Sequence, residues 1–209
     1  MIIAGAGGFA RETLELLLQQ QNPPEIVYFF DDVDPDHISI HERYRVLKST
    51  AEVKRVLSRD PSFCVGVGNS IARRKLFDLF ISLGGNAASI VSPHAVIGIH
   101  GNTFGLGTII STGTVITCNV TISRGTLINL NCTIGHDTVI GEFCELSPGV
   151  HISGNCKVGD NCSIGTGVVL LPRITLGNNV TIGAGAVVTK DVPSNSVMAG
   201  IPARPLEKN

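Results

Sequence analysis

Two short segments carry residue types that do chemistry. His136 is followed at once by Asp137, within Ile134-Gly135-His136-Asp137-Thr138-Val139-Ile140-Gly141. An imidazole titrates near neutrality and can take a proton at cellular pH. A carboxylate beside it can orient the ring and raise its basicity. On a solvated surface the same pair would do nothing, so its placement decides its meaning. The second segment is Gly5-Ala6-Gly7-Gly8-Phe9-Ala10, between the apolar run Ile2-Ile3-Ala4 and a stretch with helical spacing. Backbone N–H groups at such a strand-to-helix turn can meet a diphosphate at the helix N-terminus. Taken alone the pattern also fits a dinucleotide cofactor, or a tight turn that binds nothing. Against the cofactor, the acidic pair Asp31-Asp32 leads into a short polar stretch rather than a full dinucleotide domain.

The elements that must position these segments fall into two halves. Residues 1–90 alternate between strand and helix patterns: a strand at 2–4, a helix over Phe9–Gln19 with Leu14, Leu17 and Leu18 on one face, and a strand over Glu25–Phe30. A helix over Thr50–Leu57, a strand over Ser62–Val67 and an amphipathic helix over Ile71–Leu83 follow. That alternation predicts a parallel sheet in a small Rossmann-like α/β unit. Residues 91–209 obey a period of six. Every sixth residue from Phe104 to Val188 is aliphatic or Phe, fifteen in succession, and the residue after it is mostly small or polar. Ile97-Gly98 reads as a further unit, one residue out of phase. A strict six is neither helical nor alternating, and it predicts a solenoid of one short strand and one turn per hexapeptide. With three hexapeptides per coil, fifteen units make five coils, about 24 Å tall at the strand spacing of about 4.8 Å.

Composition agrees with this division and excludes several function classes. The chain has 209 residues, 24 glycines and no tryptophan, and only 16% of it is charged, against about 25% in an ordinary domain. A net charge of −1 offers no attraction to nucleic-acid polymers or anionic membranes. No apolar stretch is long enough to span a bilayer, and Met1-Ile2-Ile3-Ala4-Gly5 lacks the basic start of a signal peptide. The six cysteines form no C-x-x-C pair, so no metal site is expected. Cys132, Cys144, Cys156 and Cys162 fall two residues before an inward aliphatic and read as small buried fillers. The low charge of the repeat, with only Arg124 between Thr108 and Leu130, predicts that its walls meet a partner.

The repeat resembles the hexapeptide-repeat acyltransferases, which implies a left-handed parallel β-helix. Adding Gly5 to Glu12, Asp31-Asp32, Gly66-Val67-Gly68-Asn69 with Arg73, and Gly200-Ile201-Pro202-Ala203-Arg204 narrows it. The whole chain is similar to the sugar O-acyltransferases of the sialic-acid cluster type, close to bacterial nucleotide-aminosugar N-acetyltransferases. The resemblance implies acetyl-CoA as co-substrate, a nucleotide-linked 4-amino-4,6-dideoxy sugar as acceptor, and a homotrimer with sites between subunits. It further implies that residues 1–90 hold the nucleotide sugar through Gly5, Gly7, Gly8, Phe9, Ala10, Asp31, Asp32, Asn69 and Arg73. Many relatives carry His where this chain has Phe9, so a polar contact is missing there. His136 matches the catalytic base, with Asp137 to orient its ring or raise its basicity and Asn129, seven residues before it, as an active-site polar group. Gly154, Thr166 and Ala184 match the pantetheine channel, and Ile201 the loop near the adenine. Some relatives have a second His nine residues after the base. This chain has Glu145 there and His151 one hexapeptide on, and the sequence leaves open which of them assists. Direct attack in a ternary complex is expected, since an acyl-enzyme needs an activated Ser or Cys beside the base. The expected location is the cytoplasm. Sialic-acid or other sugar O-acetylation, a metal-dependent hydratase on the same helix, and a non-catalytic nucleotide-sugar scaffold are the competing readings.

Overall fold

The computed structural model describes residues 1–206. The chain divides into two compact units, Met1–Ser92 and the residues from Pro93 on.

The first unit is a six-stranded sheet with three helices. Its elements run β1 (Ile2–Ala4), α1 (Gly8–Leu18), β2 (Tyr28–Phe30), β3 (Ser39–Ile40), β4 (Tyr44–Leu47), α2 (Thr50–Leu57), β5 (Ser62–Val65), α3 (Ser70–Ser82) and β6 (Asn86–Ala87). The strand order is β3-β4-β2-β1-β5-β6, parallel throughout except for the β3–β4 pair. The order runs outward from β1 on both sides, so the sheet has a switch point between β1 and β5, where open α/β sheets take ligands. The turns after β1, β2 and β5 share that carboxyl edge. Packing of helices on a flat sheet needs wide side chains, and six of the eight phenylalanines lie in this unit. Phe30, Phe63, Phe77 and Phe80 form edge-on and tilted ring pairs with centroids 5.1–5.8 Å apart. The hairpin β3–β4 carries no turn signature in sequence. His41 and Glu42 occupy its left-handed positions, at φ 49° and 54°, where Gly or Asn is expected.

The second unit is a left-handed parallel β-helix. Its strands are two residues long, except Val197–Ala199 with three, and form three sheets, parallel but for the pairing of that strand with Arg204–Pro205. Partners stand 18 residues apart: Ile110 with Ile128, Ile116 with Ile134, Ile122 with Ile140, and so on up the coil. The ends depart from the period. Ile97 pairs with Ile116, one residue longer, and Ile182 with Met198, two residues shorter. Inward aliphatics from Ile110 to Val188 are fully or nearly fully buried.

A second inward column is polar yet satisfied. Thr114, Thr126, Cys132, Cys144, Cys156 and Cys162 all donate to the carbonyl fifteen residues ahead, at 2.7–3.3 Å. Thr and Cys are therefore interchangeable fillers here, being Val-sized with one donor. Among the described residues no buried side-chain polar atom lacks a partner.

Candidate active site

The His136 corner is built by the period of 18. Backbone at the place of Asp137 turns left-handed, with φ 57°, as do its neighbours Asn119 at 56° and Asn155 at 61°. Only Gly, Asn and Asp visit that region cheaply. Asp therefore meets the backbone demand and adds a charge. Its carboxylate accepts from Asn119 Nδ2 of the preceding coil at 3.2 Å and is bonded to His136 Nδ1 at 2.7 Å. The His136 bond first, then the Asn119 bond, hold the Asp137 carboxyl below its ordinary value of 3.8. An ionised carboxylate only accepts, so the proton of this pair sits on Nδ1. In the neutral ring, Nε2 then carries a free lone pair.

The ring rests on the next coil. A methyl group on Gly154 would stand 2.5 Å from His136 Nε2, 2.8 Å from Cε1 and 2.9 Å from Cδ2. Gly154 lies outside the left-handed region, so the backbone does not require glycine there. The imidazole does.

Other predicted residues stand elsewhere on the coil. Asn129 is half-buried on a different corner, where its Oδ1 accepts from the Leu130 N–H at 2.7 Å. Thr166 and Ala184 are exposed on that same corner, two and three coils on from Leu130. Glu145 belongs to a third place, the wall between Leu127 and Ser163. Ile201 is exposed in a turn tied to the last coil by Val187, which donates to Gly200 O and accepts from the Ala203 N–H. The wall between the His136 and Asn129 corners holds a groove of about 250 Å³ lined by Val115, Thr133, Gly135, His151 and Ser153. There His151 Nδ1 and Thr133 Oγ1 are bonded at 2.8 Å. Asn119 and Thr133 are absent from the sequence-based site, yet a signal existed: each precedes a singled-out residue, Asp137 or His151, by 18 positions.

At the carboxyl edge of the first unit, the glycines separate into two kinds. Gly5 has φ 113°, and a side chain there would meet Val67 at 2.8 Å. A side chain on Gly66 would come within 2.6 Å of Ala10 Cα. Gly7 and Gly8 face open space, and Gly7 caps α1 without any side-chain bond to its first turn. The N-terminus of α1 is thus uncovered, which suits an anion. Asp31 accepts from the Val33 N–H at 2.9 Å and lies 3.9 Å from His37 Nδ1, while Asp32 is exposed. Phe9 is half-buried. Ala10 and Arg73 do structural work: Ala10 is fully buried against Gly66, and the buried Arg73 guanidinium donates to the carbonyls of Val67 and Gly68. Asn69 caps α3 by accepting from the Ala72 N–H at 3.0 Å. Among the described residues no cluster of His, Cys, Asp and Glu could hold a metal ion, and no helix is long and apolar enough to cross a membrane.

The PglD N-terminal domain family matches residues 1–80, and the bacterial transferase hexapeptide family matches 137–172 and 155–190. No curated protein matches the sequence. The acetyltransferase domain of PglB from Neisseria gonorrhoeae FA1090 is 30% identical over 98% of both chains, with a TM-score of 0.90. The chain belongs to the hexapeptide-repeat sugar acetyltransferases. A second structure of that PglB domain is a complex with acetyl coenzyme A, at 29% identity. Another similar structure is WeeI from Acinetobacter baumannii AYE, 29% identical over 98% of both chains with a TM-score of 0.87. PerB from Caulobacter crescentus, solved with CoA and GDP-perosamine, shares the fold at 24% identity and a TM-score of 0.89, over 99% of this chain and 96% of its own. At the His136 corner the chain holds an exposed imidazole against a neighbouring carboxylate.

Proposed function

We propose that the protein is an acetyl-CoA-dependent N-acetyltransferase acting on the amino group of a nucleotide-linked 4-amino-4,6-dideoxy sugar. One observation carries the chemistry: His136 donates through Nδ1 to an ionised Asp137 and keeps Nε2 free at an exposed corner. His136 Nε2 would take a proton from the sugar amine as its nitrogen attacks the thioester carbonyl. Gly154 offers a backbone N–H beside the ring with no side chain to cover it, and such a donor would stabilise the oxyanion. Collapse of the tetrahedral intermediate would break the C–S bond, and the proton on Nε2 would pass to the leaving thiolate. The products would be the amide and CoA with a free thiol. Asp137 acts as a positioning residue.

The nucleotide sugar would lie at the carboxyl edge of the first unit, its diphosphate on the uncovered N-terminus of α1 and its nucleoside near Asp31 and Asp32. Acetyl-CoA would use Gly154, Thr166, Ala184 and Ile201. Gly154 shares the corner of His136, whereas Thr166 and Ala184 share that of Asn129. These two corners lie at opposite ends of one wall, which supports a homotrimer whose sites each take one corner from each of two subunits. Both co-substrates are metabolites of the cytoplasm, where the reaction would run.

The test is free-thiol release from acetyl-CoA with UDP-, dTDP- and GDP-linked 4-amino sugars. Turnover with at least one, reduced about 10²- to 10⁴-fold in kcat by His136→Ala, is the expected result. Turnover with free sialic acid and none of these would establish O-acetylation instead. A folded His136→Ala enzyme with most of its kcat would remove His136 as the base.

A further inference from the structure

One cavity in the first unit is lined by none of the residues named for this reaction. It measures about 590 Å³ and opens at the amino edge of the parallel sheet, opposite the glycine turn. Register explains its shape. Ile2 pairs with Tyr28, and Phe29 with Val46, so Tyr28, Arg45 and Leu47 point to one face of the sheet. The end of α2 stands over that face with Arg55, Val56 and, just beyond the helix, Arg59. Leu47 and Val56 thus make an apolar floor, Tyr28 one ring wall, and three guanidiniums the rim, together with the carboxylates of Glu25 and Asp60.

Two of those cations make no ion pair among the described residues, although behind the Lys48 N–H bond and Arg45 the Arg55 charge still helps to lower the Glu52 carboxyl. Arg45 pairs with Glu52, whose other oxygen accepts from the Lys48 N–H at 2.8 Å. Asp60, also at the cavity, is taken by the Met1 amine at 2.6 Å and by the Ser62 N–H at 3.0 Å. Arg55 and Arg59 form no ion pair among the described residues, and both are exposed at the rim. Guanidinium forks match the oxygens of phosphate or sulfonate, and a concave apolar floor beside them selects a ligand with an apolar body. We infer that this cavity is a second ligand site, for a small phosphate ester with an aromatic or apolar body, held by Arg55 and Arg59 over Tyr28, Leu47 and Val56.

The chain itself supplies the reporter. It has no tryptophan and two tyrosines, Tyr28 and Tyr44. In Tyr44→Phe, tyrosine emission comes from the cavity wall alone. Phenyl phosphate should change that emission and bind with one site per chain by calorimetry, in the full-length protein saturated with acetyl-CoA. Benzyl alcohol, which lacks the charge, should bind at least about tenfold more weakly, and so should phenyl phosphate to Arg55→Ala/Arg59→Ala. The double variant removes only exposed side chains, and circular dichroism should show it folded. Unchanged affinity in that variant would overturn the inference, as would displacement of the probe by UDP or binding seen only without acetyl-CoA, since the probe would then occupy the catalytic sites. Val56→Trp, which fills the floor, should abolish binding while leaving acetyl transfer intact. A tight complex with that variant would equally refute the site.

Discussion

At the scale of single residues, the candidate base depends on two neighbours that sequence order hides. Asp137 sits where the coils above and below carry Asn, at the same left-handed φ. Asp137→Asn should therefore fold normally and keep the bond from Asn119, while losing the charge that fixes the proton on His136 Nδ1. We expect kcat to fall about tenfold, less than for loss of the base itself, with KM for acetyl-CoA unchanged. The same substitution carries a pH signature. The folded value of Asp137 is lowered, so its bonds stabilise the fold above the ordinary value of 3.8, and that contribution disappears as pH falls through the lowered one. Acid unfolding of Asp137→Asn should consequently be shallower below about pH 4 than that of the parent, by circular dichroism. Gly154→Ala tests the seat of the ring. Its methyl group would collide with a side-chain end, not with backbone, so the imidazole should move and the coil should not. Thermal unfolding should stay unchanged while kcat drops at least about tenfold, and a fully active Gly154→Ala enzyme would show that the ring needs no such seat.

At the scale of elements, the glycine turn before α1 and the solenoid corners make opposite demands. Gly7 has β-region backbone at the N-cap of α1 and open space beside it. Asp at this place would cap the helix, adding a few tenths of a kcal/mol. Its carboxylate would also repel a diphosphate. Gly7→Asp should thus raise the melting temperature slightly and increase KM for the nucleotide sugar about tenfold or more. Gly66→Ala should do the reverse, costing about 1–3 kcal/mol in denaturant unfolding because its methyl group overlaps Ala10 and Ile3. In the solenoid, burial pushes the Cys132 thiol up to about 11, and that of Cys64 in the sheet to about 12. Five of the six cysteines are buried and Cys118 is half-buried. A disulfide-exchange dye should therefore titrate one thiol in the native protein and six after unfolding, and rapid labelling of several thiols would contradict the inward column.

At the scale of the whole molecule, the proposed division of the site over two corners sets the decisive experiment. A chain with His136→Ala lacks one corner, and a chain with Thr166→Tyr obstructs the other. Unfolding and reassembling the two inactive proteins together should restore activity, with about a quarter of the sites intact under random mixing. Sedimentation of the parent at micromolar concentration should give a trimer, and a monomer with full activity would refute a site shared between subunits. Much of this architecture was legible in advance because its causes are periodic. A side chain every six residues either enters the core or does not, so the coil, its inward cysteines and the outward His136 follow from the sequence. α2 was legible in full, since Ser49 and Glu52 mark its start. The β3–β4 hairpin was not, because His41 and Glu42 adopt its turn without turn-forming residue types. The roles of Arg73 and Ala10 were equally hidden, since a motif records residue type and not whether the side chain faces a ligand or its own loop. Sequence alone determined which residues face inward, because burial follows the period. Only the tertiary structure decided which residues meet, because stacking at 18 residues brings Asn119 to Asp137 and seats His136 on Gly154, and that register is a property of the closed coil.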